Sequence, residues 1–213
     1  MPRSPLLIET VRVRAGAAPL WHLHLRRLVA SCRALGIPFP LEFEVPAGGA
    51  DRVHRLEVGP RGLTVSERPV GPTTPVRLAL VETCHRPYPH KTTERDVFDR
   101  ARAEAEAQGA DDALLLTAGG EVAECAIWSV FWWEDGALAA PPLSLGVLPG
   151  VARARLEELA GGLSERAVPP AGLEQRGLFV ANAVRGVVPV ASIDGKTVVP
   201  DPRTADLMAQ FWT

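Results

Sequence analysis

The chain has 213 residues, 46% hydrophobic and 23% charged, a balance that excludes disorder, collagen-like repeats and coiled coil. Lys+Arg 23 against Asp+Glu 25 leaves a formal net charge of -2, so no overall basic field is available to recruit nucleic acid or a membrane surface. No apolar run approaches the ~20 residues that span a bilayer, the N-terminus lacks a signal-peptide layout, and Cys32, Cys84 and Cys125 are odd in number and widely spaced, which predicts a reduced, cytoplasmic protein.

Residues 6–14 alternate after an apolar start and close at Ala15-Gly16, the pattern of a strand. Residues 20–35 carry Leu20, Leu23, Leu28, Cys32 and Leu35 at helical spacing, and Gly36 with Pro38 ends the helix. A loop over 38–49 leads to two strands at 52–58 and 63–68, joined as a hairpin through Gly59-Pro-Arg-Gly62, and residues 76–83 read as another apolar strand. The two prolines of Cys84-His-Arg-Pro-Tyr-Pro-His90 mark a linker, and residues 92–108 form an Ala/Arg/Glu-rich helix stopped by Gly109. Short strands follow at 113–117, 121–124, 127–133 and 137–139, then a helix at 151–159, strands at 178–183 and 187–193, and a helix near 203–211. One helix followed by many short strands predicts an α+β protein with an antiparallel or mixed sheet. The expected domains are 1–84, a linker at 85–90, and 91–213.

The familiar sites of chemistry are missing from the pattern. No Gly-x-Ser-x-Gly, GxGxxG or P-loop occurs. His22 and His24 lie two apart on a helix, and Cys84, His85 and His90 have no second Cys/His pair at ligand spacing, so no metal is expected. Three features remain. Lysine occurs only at Lys91 and Lys196, and Lys91 sits at the junction of the linker and the next helix. Glu124 ends a strand, and Val147-Leu-Pro-Gly-Val-Ala152 opens a helix whose first N–H groups could face an anion.

In this order the features resemble the fold-type IV pyridoxal-phosphate enzymes, which hold branched-chain and D-amino-acid aminotransferases and aminodeoxychorismate lyase. The stretches that match are Ile8-Glu-Thr-Val-Arg-Val, His24-Leu-Arg-Arg-Leu28 with Ser31 and Leu35-Gly36, and His90-Lys-Thr-Thr93. They continue as Asp111-Asp-Ala-Leu-Leu-Leu116, Gly120-Glu-Val-Ala-Glu124, Gly146-Val-Leu-Pro-Gly150 and Asn182-Ala-Val-Arg-Gly186, over nearly the whole chain. The forms of the Lys91, Leu148 and Asn182 stretches are most like aminodeoxychorismate lyases. The resemblance implies a two-domain architecture, a small N-terminal α/β sandwich and a larger C-terminal pseudo-barrel, here without the N-terminal hairpin of many members.

The same resemblance implies the site. Lys91 would form the internal aldimine with pyridoxal 5'-phosphate, Glu124 would pair with the pyridine nitrogen, and Arg27 would bind the phosphate. The amides of Val151, Ala152 and Ala183 would complete the phosphate cup, with Leu148 against the ring. Ala152 stands where the family usually has Thr, Ala183 where it has Ser or Thr, and Ser129 where it has Asn. Two phosphate hydroxyl contacts, each about 0.5–1.5 kcal/mol, would therefore be absent. The implied activity is conversion of 4-amino-4-deoxychorismate to 4-aminobenzoate and pyruvate in folate synthesis. An aminotransferase is the alternative, and a silent homologue with an eroded phosphate cup the third reading. A homodimer is expected, with an aminodeoxychorismate synthase as a further partner. Trp128, Trp132 and Trp133 suit either a dimer surface or a buried strand.

Overall fold

The opening strand forms as its alternation predicts. In the computed structural model, which describes residues 5–40 and 50–213, β1 (Leu7–Val13) pairs antiparallel with β2 (Arg52–Gly59), Leu7 opposite Val58 and Val13 opposite Arg52. The predicted hairpin then joins β2 to β3 (Gly62–Pro69). Because side chains alternate, Leu7 and Glu9 share one face of β1 with their partners Val58 and Leu56 of β2. Helix α1 (Trp21–Leu35) packs Leu28 and Cys32 against Leu7 and Val58. It ends at Gly36, whose φ of 64° is left-handed and whose N–H bonds the Cys32 carbonyl, a cap open to glycine at no steric cost. Of the loop expected over 38–49, residues 41–49 lie outside the described residues.

The free edge of β1 is taken by a segment far along the chain. Ile8 N–H donates to the Lys91 carbonyl at 2.7 Å, Thr93 N–H to the Leu6 carbonyl at 2.9 Å, and Leu7 pairs with Thr92. Residues 91–93 are thus extended, and α2 (Asp96–Ala107) starts four residues later than the predicted helix. The correction has a plain cause: backbone groups spent on a strand edge cannot also close helical turns, and β-branched Thr92 and Thr93 favour the extended form.

A second unit is a nine-stranded mixed sheet. Its strands are β4 (Val76–Leu80), β5 (Asp112–Leu116), β6 (Val122–Cys125), β7 (Ser129–Glu134), β8 (Ala137–Ala140), β9 (Ser164–Glu165), β10 (Phe179–Asn182), β11 (Gly186–Ile193) and β12 (Lys196–Thr197). Their order is β6-β5-β4-β11-β10-β7-β8-β9, with β12 on β11. Strand β4 runs parallel to both β5 and β11, so it is a central strand here and not part of the small N-terminal unit where its sequence position suggested. Burial explains the placement, since Val76, Leu78 and Ala79 are all buried, and a strand covered on two faces belongs inside a sheet. On one face, α2 lays Phe98, Ala101 and Ala105 over Ala79, Ala113 and Leu115. The other face packs Leu78, Leu114, Val130, Trp132 and Val180 into a larger core. Trp128 and Trp132 are buried within this unit, and Trp133 is half-buried with its Nε1 donating to Thr204 Oγ1 at 3.0 Å. Helices α3 (Val151–Ala160) and α4 (Arg203–Gln210) complete it.

The chain accordingly divides elsewhere than at the expected 84 and 90. One unit takes the chain up to Pro72 with His90–Glu94 and Trp212–Thr213, and the other takes Thr73–Pro89 and Arg95–Phe211. Strand pairing sets both boundaries, because β4 is bound to the large sheet and residues 91–93 to β1.

One close approach inside the second unit is testable. Gly146 has a φ of 79°, Tyr88 N–H donates to its carbonyl at 2.7 Å, and a Cβ there would lie 2.8 Å from Pro87 Cβ and 2.9 Å from Pro87 Cα. Gly136 has a φ of 82° with open space around the same position. Gly146→Ala is expected to lower unfolding free energy by about 3 kcal/mol and Gly136→Ala by about 1 kcal/mol, read by urea denaturation.

Candidate active site

Arg27 lies on the inner face of α1, its side chain 10% exposed, and Arg26 beside it is exposed to solvent. Its guanidinium grips Glu9 of β1 with two bonds, Nε to Oε1 at 2.8 Å and Nη2 to Oε2 at 2.6 Å. His24, one turn earlier, places Nδ1 2.6 Å from the same Oε2. Glu9 is buried, which by itself would raise its carboxyl; the charge of Arg27 and the His24 and Arg27 hydrogen bonds reverse this and bring it down to about 2. Burial lowers His24, opposed by its bond to Glu9, with Arg27 and Lys91 as nearby positive charges that lower it further. A neutral ring against an ionised Glu9 carries its hydrogen on Nδ1. Its Nε2 is buried with no hydrogen-bond partner among the described residues. Lys91 is half-buried, its carbonyl tied to Ile8, and His90 next to it bonds Ser31 Oγ through Nδ1 at 3.0 Å.

In the second unit Glu124 lies in β6, one residue before its end, and is 6% exposed. Both hydrogen bonds to its carboxylate fall on Oε1: His85 Nε2 at 2.9 Å and the Leu148 N–H at 3.1 Å. Oε2 accepts none among the described residues. The turn after Glu124 is held from several sides. Arg95 Nη2 donates to the Ala126 carbonyl at 2.6 Å, Ile127 N–H to Asp112 Oδ2 at 3.1 Å, and Asn182 Nδ2 to the Ile127 carbonyl at 3.3 Å. Asn182 Oδ1 in turn accepts the N–H groups of Val184 at 3.0 Å and Arg185 at 2.8 Å, which shapes the turn that carries Ala183. The Glu124 strand end and the Ala183 turn are thus tied through one peptide. Helix α3 starts after Gly150 without a side-chain cap, Val151 and Ala152 are buried, and Gly150 sits so near Ser129 that a Cβ would meet its Oγ at 3.0 Å.

These donor sets suit a pyridoxal phosphate. A pyridine nitrogen that carries a proton needs one carboxylate oxygen, and Oε2 of Glu124 lies outside its two hydrogen bonds. A phosphate dianion needs N–H donors and positive charge, and α3 offers uncapped amides at its positive end. Arg27 has its Nη1 edge outside the Glu9 grip, since its bonds to Glu9 use Nε and Nη2. Of the residues expected from sequence, Arg27 and Lys91 fall in the first unit. Glu124, Leu148, Val151, Ala152 and Ala183 fall in the second. Lys196 is exposed on β12. Glu9, His24, His85, Asp112 and Asn182 were not singled out as site residues, though four of them stand inside the stretches that carry the resemblance. His85 drew notice only as a rejected metal ligand, because its partner is 39 positions away.

Two buried carboxyls bend the pH dependence of stability in opposite senses. Asp112 is fully buried, and burial raises it to about 6 against the backbone donors that lower it, those of Ile127 and Ala113 first. Native protein then holds a proton that unfolded protein has released, so stability falls as pH rises from about 4 through 6, by roughly 3 kcal/mol. Glu9 works the other way: its contribution is present above the unfolded value and is lost as pH falls from about 4.5 toward 2, again roughly 3 kcal/mol. Urea titrations across pH 3–8 are expected to show Asp112→Asn flattening the decline between pH 4 and 6, and Glu9→Gln flattening the acid limb.

Comparison with known proteins follows the same lines. The family model described as "Amino-transferase class IV" matches residues 61–193. A probable branched-chain-amino-acid aminotransferase of Thermotoga maritima is 34% identical over 108 residues, 47% of this chain and 40% of that protein, so the chain matches well under half the length of that curated relative. A candidate 4-amino-4-deoxychorismate lyase structure from Legionella pneumophila superposes with a TM-score of 0.83 at 26% identity, covering 97% of this chain and 91% of that one. A hypothetical aminotransferase from Mycobacterium tuberculosis, solved in a PLP-bound form, shares the fold at 22% identity with a TM-score of 0.87, covering 100% and 90%. The architecture is that of the fold-type IV enzymes, and the chain belongs to the class IV aminotransferase family.

Proposed function

We propose that the protein is a pyridoxal-phosphate-dependent lyase that converts 4-amino-4-deoxychorismate to 4-aminobenzoate and pyruvate. The observation that carries the reading is the lyase-like form of His90-Lys91-Thr92-Thr93, Leu148-Pro-Gly150 and Asn182-Ala-Val-Arg-Gly186, together with the extension of the structural likeness over 97% of this chain. When bound, the cofactor supplies an electron sink conjugated with the amine-bearing carbon of the substrate.

The chain's own residues have distinct tasks. Lys91 is the cofactor-bearing lysine, and its Nζ takes the proton from the amine-bearing carbon and returns one as the enolpyruvyl group leaves, acting as base and then acid. Glu124 Oε2 holds the proton of the ring nitrogen. By the family resemblance, Arg27 and the amides of Val151, Ala152 and Ala183 would hold the phosphate, with Leu148 against the ring. Its own N–H fastens Glu124, so ring packing and ring-nitrogen contact share one anchor. Substrate and products are isomeric in sum, so the reaction consumes no second substrate.

The same residues would serve an aminotransferase, which the names of the curated relatives favour. That reaction needs a 2-oxo acid to accept the amine. In either case we expect a homodimer in the cytoplasm, and a synthase that makes the aminated chorismate as a further partner of the lyase.

The discriminating measurement is 4-aminobenzoate release from 4-amino-4-deoxychorismate by PLP-loaded protein with no 2-oxo acid present. Release is expected, and Lys91→Ala should lower its rate at least ~10³-fold, the loss of acid–base and covalent functions together. Amine transfer that appears only with a 2-oxo acid would establish the aminotransferase instead.

A further inference from the structure

His85 belongs to none of the stretches that carry the family likeness, yet it makes the shortest side-chain contact to Glu124. Its ring is locked in place. The backbone N–H donates to the Leu116 carbonyl at 2.7 Å, the imidazole meets Phe98 edge-on with centroids 6.3 Å apart, and the side chain is 1% exposed. Phe98 is itself backed by Tyr88 at 4.8 Å and by the Arg95 guanidinium at 5.1 Å. A carboxylate oxygen only accepts, so the contact to Oε1 requires the hydrogen on His85 Nε2. The Leu148 N–H is the second donor to that oxygen. Two donors converging on Oε1 fix both side-chain torsion and carboxylate plane, and they leave Oε2 outside both hydrogen bonds.

We infer that His85 is a positioning residue for the cofactor: through its Nε2–H it holds Glu124 in the orientation that presents Oε2 to the ring nitrogen. The inference rests on the functional reading above, and it adds a residue to the cofactor site that acts only through Glu124. Without the His85 donor, Oε1 and Oε2 compete for the Leu148 amide and the carboxylate can rotate away from the nitrogen. The ring proton is then less well held, which weakens binding and alters the absorption of the bound cofactor. A glutamine at 85 can place its own Nε2–H donor near the same point, whereas leucine keeps the bulk and removes the donor.

The test uses full-length protein and PLP itself. The dissociation constant is measured by fluorescence titration and the visible absorption of the loaded protein is recorded for wild type, His85→Leu and His85→Gln. Melting temperatures of the cofactor-free proteins are taken in parallel. The expected result is a dissociation constant raised about tenfold or more with a displaced absorption band in His85→Leu, the loss of one charge-assisted hydrogen bond. His85→Gln should stay within about threefold of wild type with its band in place. In cofactor-free wild type, nitrogen NMR should find the hydrogen of His85 on Nε2. Wild-type affinity and absorption in His85→Leu would overturn the inference while leaving the functional reading intact. Equal losses in both variants that track a fall in melting temperature would also overturn it, since packing alone would then explain them. A wild-type protein that binds no PLP would overturn the functional reading and this inference together.

Discussion

Taking a carboxylate out of water is the costly step around which the described parts of this molecule are arranged. An ionised group that loses its hydration must recover it from fixed donors or give up its charge. Glu9, Asp112 and Glu124 are all buried, and each meets the demand differently. Glu9 is matched by a full positive charge and a histidine donor, and its carboxyl is held at about 2. Asp112 has only neutral backbone donors within bonding distance, and its carboxyl rises to about 6. Glu124 receives two donors on a single oxygen, which keeps the other available. Of the three, that is the arrangement a ligand can use.

The strands deliver these groups to their partners. Glu9 sits on the face of β1 that α1 covers, so a helix carrying His24 and Arg27 three residues apart brings both onto one carboxylate. The register of β5 with β6 sets Leu115 opposite Glu124, and the turn that follows returns Ile127 to Asp112 of the same β5. Asn182 at the end of β10 reaches the Ile127 carbonyl with one end of its amide and organises the Ala183 turn with the other. An antiparallel pairing of β10 with β7 is what makes that reach short.

The same geometry bears on Ala152 and Ala183, which stand where the family resemblance implies hydroxyls that bind phosphate. Ala152 and Ala183 remove side-chain donors, but the backbone amides at those positions depend on helix and turn geometry rather than on side chains. Arg27 arrives already oriented by Glu9, so little of its conformational entropy remains to be lost when it engages an anion. If Arg27 holds the phosphate as proposed, that pre-orientation would offset part of what the missing hydroxyls withdraw.

Local pattern alone determined a good deal. The alternation of β1, the stripe and glycine cap of α1, the Gly59–Gly62 hairpin and the many short strands are short-range properties, and the order of small motifs carries the family resemblance that implies Lys91, Glu124 and Arg27 as site residues. Tertiary structure decided what depends on pairing across distance. Whether residues 92 and 93 begin a helix or extend along β1 turns on an edge supplied some 85 positions earlier, which the pattern of that window does not contain. Strand β4 went to the centre of the large sheet because two distant strands were there to flank it. His85 gained a partner 39 residues away through a fold that no spacing rule encodes. Hydrogen bonds and burial are properties of neighbours in space, and a sequence lists neighbours only along the chain.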